Sequence, residues 1–217
     1  MRSICEPIMF LADAMLCATL LIATTSDAAG VADDAKAAAP LPSSQVTAVE
    51  ALKLVAAHNA ARSEVGVAPV AWSAEVASFA QQWADHIAAT GKFEHRPYAS
   101  EKSETDPVDP ADDLPKQIYG ENLAFGSGQE FGVTAAAEMW LAEKKDYVPG
   151  TPIPSDFSMF KAGHYTQMVW SKTTKIGAGR ATIQTGDFKG YTVIVCNYAP
   201  GGNRGGVVPF EVPAKPE

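Results

Sequence analysis

Cysteine is scarce in this chain: Cys5, Cys17 and Cys196 are all it has in 217 residues. The first two lie in the N-terminal stretch. If that stretch is removed, Cys196 stands alone, no internal disulfide can form, and a core must hold the fold. Cys196 is then expected to be a buried structural thiol rather than a nucleophile. Basic charge is also short. There are 17 Lys and Arg against 25 Asp and Glu, a formal charge of −8. This excludes nucleic acid as the main partner, because phosphate binding needs a basic face, and argues against electrostatic attachment to anionic lipid. Long apolar runs are lacking. Ala14–Thr25 is the N-terminal one, well short of the roughly 20 residues of a spanning helix, so no stable membrane span is expected. Familiar catalytic signatures are missing as well: there is no His-Glu-x-x-His, no Cys-x-x-Cys and no Gly-x-Ser-x-Gly elbow. The pair Gly201-Gly202 lacks the helix and Lys of a phosphate loop.

What remains describes a globular domain with additions. The apolar fraction is 47% and the charged fraction 19%, values of a folded rather than a disordered chain. Arg2, the apolar stretch and the small residues Ser26 and Ala28 together resemble a secretory signal cut after Ala28. Cys17 follows Ala-Met-Leu, without the small residue expected before a lipidated cysteine. Residues 29–44, rich in Ala with Pro40 and Pro42, read as a linker. The folded domain is assigned to 45–217, in an extracellular setting, or a periplasmic or cell-surface one in a bacterium.

Within the domain, Thr47-x-x-Glu50 has capping-box spacing for a first helix that Gly66 can end. Ser73 caps a second, whose apolar face runs through Val76, Phe79, Ala80, Trp83, Ile87 and Ala88 to a stop at Gly91. Residues 96–118 carry six acidic residues and four prolines without periodicity, and read as a long acidic loop. A third helix is expected from Thr134 to about Tyr147. Two strands, near Ile176–Gln184 and Tyr191–Tyr198, make a hairpin around Asp187–Gly190, and Ala199-Pro200-Gly201-Gly202-Asn203 stops the second. Helices first and an antiparallel sheet later give an α+β or layered α/β/α domain.

Four histidines are available for chemistry. His58 and His86 fall inside helices and read as packing residues. His95 follows the Gly91 stop, on a loop placed by a helix end, where functional side chains concentrate. His164 sits in Gly163-His-Tyr-Thr-Gln-Met-Val-Trp170, an ionisable group against an apolar wall. Glu121 is flanked by apolar residues and needs a partner. On the third helix, Glu143 lies within about 60° of Ala136, Met139, Trp140 and Tyr147, whereas Glu138 is about 140° away and should face water. Imidazoles and carboxylates from separate segments are suitable ligands for Zn2+ or another divalent cation.

Four motifs then occur in one order: His58-Asn-Ala-Ala-Arg62, Tyr119-Gly-Glu-Asn-Leu-Ala124, Gly163-His-Tyr-Thr-Gln-Met-Val-Trp170 and Cys196-Asn-Tyr-Ala-Pro-Gly-Gly-Asn203. From about residue 45 to 205 the chain resembles the CAP superfamily of cysteine-rich secretory, antigen 5 and pathogenesis-related proteins. The resemblance implies a three-layer α-β-α sandwich with a central, largely antiparallel sheet. It also implies a cleft tetrad of His95, Glu121, Glu143 and His164. Ala162 stands where many relatives have cysteine, so a disulfide-free member is expected. No C-terminal cysteine-rich module is present, so channel-blocking activities do not transfer.

The resulting expectation is a secreted binding protein whose tetrad holds a divalent cation and whose surfaces take a lipid, sterol, glycan or other small extracellular ligand. The lipid part rests on resemblance alone. The alternative is a metal-dependent hydrolase acting on peptides or glycans, with Glu121 or Glu143 as base.

Overall fold

The computed structural model describes residues 43–98, 114–128 and 130–212. The expected leader, nearly all of the linker and residues 99–113 of the acidic loop lie outside the described residues.

Helix α1 (Ala48–Glu64) begins as its sequence predicts. The Thr47 hydroxyl accepts from the Glu50 N–H, and Glu50 accepts from the Thr47 N–H. Strand β1 (Ala71–Trp72) is only two residues long. Helix α2 (Ala74–Thr90) is capped by Ser73 and ends at Gly91, which takes a left-handed conformation that a Cβ would penalise. Strand β2 (Gly120–Gly126) follows, then helix α3 (Val133–Ala142) and a single 3-10 turn, Glu143–Asp146. The expected third helix is therefore shorter than its sequence suggests. The chain tightens at Glu143, as helix ends often do, so Glu143 and Tyr147 leave the helical phase. Met139, expected on the buried face, is exposed. A short helix, α4 (Gly163–Met168), precedes the hairpin strands β3 (Lys175–Thr182) and β4 (Thr192–Ala199).

The strands form one mixed sheet in the order β1-β3-β4-β2. Only β1 pairs parallel, with β3; β3 with β4 and β2 with β4 are antiparallel. Strand β4 shows why the domain has three layers. Val193 and Val195 join Trp83, Ala84 and Ile87 of α2, while Ile194, Cys196 and Tyr198 join Leu54 of α1 and Ala136, Ala137 and Trp140 of α3. A strand apolar on both faces needs a helical layer on each. This is the α+β sandwich expected. Gly177 and Gly179 set how closely α2 lies on β3, because a Cβ at either would fall inside the backbone of Ala77 or Gln81.

Among the described residues, the first buried one is Ser44. Its hydroxyl donates to the Ala178 carbonyl at 2.6 Å, and the next N–H, of Gln45, donates to Gln81.

Two buried polar side chains fix α1. Arg62 is fully buried and, among the described residues, forms no ion pair with a carboxylate. Its guanidinium donates to four carbonyls: Ala68, Met168, Trp170 and Thr173, at 2.7–3.0 Å. His58, also fully buried, lies 2.7 Å from the Leu54 carbonyl through Nδ1 and 2.9 Å from the Tyr198 hydroxyl through Nε2. Nδ1 must then carry the proton and Nε2 accepts. The imidazole is neutral, and burial lowers its pKa from 6.5 to about 4.

That shift has a pH consequence. Between about 6.5 and about 4 the unfolded chain binds a proton that the folded chain refuses, so stability falls as pH falls through this window. The loss from His58 alone should approach about 3 kcal/mol at the acid end. Urea unfolding at pH 7 and pH 4.5 tests it: His58→Gln should flatten the pH slope. Equal slopes in the two proteins would refute the assignment.

Candidate functional site

The four residues singled out in the sequence are drawn together in two pairs. Glu121 lies on β2 opposite Asn197 of β4, and its side chain is 3% exposed. Its Oε1 lies 2.9 Å from His95 Nδ1 and accepts from the Arg96 N–H at 3.1 Å. Its Oε2 accepts from the Asn197 amide at 3.3 Å. The charge expected to need partners therefore has three. His95 itself is 60% exposed, so the pair presents its imidazole to solvent and keeps its carboxylate inside.

The second pair is His164 with Glu143. Nδ1 of His164 lies 2.6 Å from Glu143 Oε1. Glu143 Oε2 accepts from the backbone N–H groups of His164 and Tyr165, at 2.8 and 3.2 Å. The carboxylate thus serves as the missing cap of α4, whose Ala162 offers no side-chain acceptor. A negative charge suits the free N–H groups of a helix start. His164 is 36% and Glu143 23% exposed, and the His164 ring lies nearly parallel to Trp140 at 6.3 Å. Glu138 is exposed, as its angle on the helix predicts.

Asn122 connects the two pairs. Alternation along β2 puts Glu121 and Leu123 toward α2, and Asn122 and Ala124 toward α1 and α3. From there the Asn122 amide donates to the Tyr198 hydroxyl and to the His164 carbonyl, at 2.9 and 3.1 Å. A polar chain therefore runs from His58 through Tyr198 and Asn122 to the His164 backbone.

Other supporting residues lie inside the quoted motifs, with no role of their own read from the sequence. Gln167 is buried and accepts from the Gly202 N–H at 2.9 Å. Asn203 donates to the Gly163 carbonyl at 2.7 Å and accepts from the Thr166 hydroxyl at 2.8 Å. The stretch Ala199–Asn203, read in the sequence as the end of a strand and as part of the last motif, is the brace that seats α4 and with it His164. Cys196 is buried, and burial pushes its thiol up to about 12. It is the inert structural thiol expected. His86 stacks on Trp83 at 4.4 Å and takes a packing role.

In both pairs Nδ1 faces a carboxylate, which leaves Nε2 of each imidazole as the outward nitrogen. Among the described residues, no group of three or more His, Cys, Asp and Glu side chains is placed to hold a metal ion. A closed cage of four ligands is therefore not preformed. Each imidazole is oriented from behind by a carboxylate, the kind of support that a metal-binding histidine has.

Comparison with known proteins is decisive at this point. The CAP profile, Cysteine-rich secretory protein family, matches residues 55–198. The chain belongs to the CAP family. Among the relatives of this CAP protein is a pathogenesis-related protein PR-1 type from Sambucus nigra, 40% identical over 156 residues, covering 72% of this chain and 79% of that one. Pathogenesis-related protein 1A of Nicotiana tabacum is 36% identical over 154 residues, covering 71% and 77%. The CAP protein is thus of the PR-1 type. Its fold is shared with BmVAL-1, at a TM-score of 0.58 and 23% identity over 79% of this chain and 86% of that one. It is shared also with NaASP2, solved with Zn2+, at a TM-score of 0.52 and 24% identity over 75% and 86%.

Proposed function

We propose that this CAP protein is a secreted binding protein that holds a divalent cation, Zn2+ by donor chemistry, on Nε2 of His95 and His164. The observation that carries this reading is the orientation of both imidazoles. Each turns Nδ1 to a carboxylate, the arrangement that fixes the tautomer and makes the other nitrogen a better ligand. Glu121 and Glu143 then act as orienting partners rather than direct ligands, with water completing the coordination. The likeness to NaASP2, whose structure holds Zn2+, supports the choice of ion. Secretion is supported by the leader-like first 28 residues and by the family's own description. Exposed apolar side chains beside both pairs, Tyr98 and Ile118 near His95 and Phe157 near Gly163, support an accessory contact with an apolar part of an extracellular ligand.

Calorimetry with Zn2+ tests the cation. Binding is expected in the wild-type protein and should be abolished in His95→Ala/His164→Ala. Unchanged affinity in the double variant would overturn the assignment. Glu143→Gln should weaken binding by roughly 10- to 100-fold, the usual cost of losing such a partner.

A further inference from the structure

We infer that Arg96 is a positioning residue that holds the His95 imidazole in its outward orientation, an inference that rests on the proposed role of His95. Arg96 is 1% exposed although its neighbour His95 is largely in solvent. Its guanidinium lies 3.7 Å from the Phe79 ring centroid and 5.4 Å from that of Trp83, one turn further along α2. It donates to the Phe79 carbonyl at 2.7 Å and the Pro115 carbonyl at 3.2 Å. The residue on the other side of His95 is fastened too: the Trp83 indole N–H donates to the Glu94 carbonyl at 2.9 Å. The backbone is thereby anchored immediately before and after His95, while the Arg96 N–H and His95 Nδ1 share one Glu121 oxygen. With both flanks and the ring nitrogen fixed, the direction of Nε2 is set.

Stability alone is a poor account of this side chain. Arg96 Nε is buried without a partner, and burial lowers the guanidinium pKa to about 10. An apolar side chain could cover Phe79 and Trp83 without the cost of burying a charge. The Phe79 carbonyl, inside α2, would keep its helical hydrogen bond. What an apolar residue cannot do is tie α2 to Pro115 across the His95 segment.

The test uses Arg96→Met and Arg96→Lys in the full chain, read by 15N NMR of the histidine side chains at fixed pH without metal. In the wild type, His95 and His164 should each show one tautomer, protonated on Nδ1. In Arg96→Met the His95 signals should move to tautomer-averaged values while those of His164 stay, with a melting temperature close to wild type. Arg96→Lys, which keeps the charge but not the two-carbonyl fork, should fall between. Zn2+ affinity should drop about tenfold or more in Arg96→Met. Unchanged His95 signals in a folded Arg96→Met would overturn the inference, and so would equal disturbance of both histidines. If Arg96→Met does not fold, unchanged His95 signals in Arg96→Lys overturn it. Absence of Zn2+ binding by the wild type would defeat the metal reading alone, since the tautomer signals decide the role of Arg96 without metal.

Discussion

Replacing Arg62 by methionine is expected to cost the fold about 3–5 kcal/mol, the range for stranding partners of a buried charged group. Methionine fills much of the same volume, so the loss should come from hydrogen bonding rather than a cavity. Four carbonyls share this guanidinium, one of them Met168 at the C-terminal end of α4, where carbonyls have no intrahelical donor. Without Arg62 the buried Met168 and Thr173 carbonyls would lose this donor, the Trp170 carbonyl would keep only the Thr173 N–H, and α1 would lose its link to α4 and to the Thr173 turn. Arg62→Lys should recover only part of the loss, because one ammonium cannot span four acceptors set around a planar fork. Urea unfolding measures both. A destabilisation under about 1 kcal/mol in Arg62→Met would show that the carbonyls find other donors. The site should suffer with the fold, since α4 carries His164.

Adding one methyl group at Gly177 is expected to be about as damaging. The Cβ of Gly177→Ala would fall on the backbone of Ala77, and a helix backbone cannot move as the end of a side chain can. Either α2 lifts from β3 or the strand bends, and the buried layer around Trp83, Val193 and Val195 opens. A loss of about 3 kcal/mol or more is reasonable for such overpacking. Gly163→Ala is the control. Its Cβ would meet Phe157 at 3.7 Å, an ordinary contact, and its stability should stay within about 0.5 kcal/mol of wild type. Thermal unfolding of the two variants side by side is sufficient. Similar melting temperatures would mean that the α2–β3 spacing is softer than described.

The parts of this fold that could be read from sequence are those set by local chemistry. Thr47 with Glu50, Ser73 and Gly91 announce helix ends because capping acts within four residues. Strand β4 was legible from its β-branched run. Strand β2 was not: Glu121 and Asn122 are polar, glycines bound the strand at both ends, and its conformation is imposed by β4. Helix α4 is too short to show a period and is held by Glu143 from another segment. Glu143 could be preferred over Glu138 by its angle on α3, yet α3 ends before Glu143, so the angle pointed to the residue that meets His164 through a helix that does not extend that far. The family resemblance put His95 and Glu121 in one cleft, while no sequence signal assigned Arg96 or Asn197 a part in holding them. Pairing across strands and stacking on α2 depend on the assembled sheet, which no local pattern encodes.

The anchoring of Ser44 on Ala178 has a practical bearing on orientation. Gln45, the next residue, lies with Arg180–Thr182 and Thr192 along a groove at one end of the sheet. Glu121 and Asn197, with the paired histidines, belong to the opposite end. Whatever is joined ahead of Ser44 meets the domain at β3, where the Ser44 hydroxyl holds the Ala178 carbonyl. A fusion partner or an immobilising tether placed there would pull on β3, whereas one attached beyond the C-terminal stretch, which packs against Ser171 and Ile153, would pull on Phe210, which packs with Tyr165 of α4.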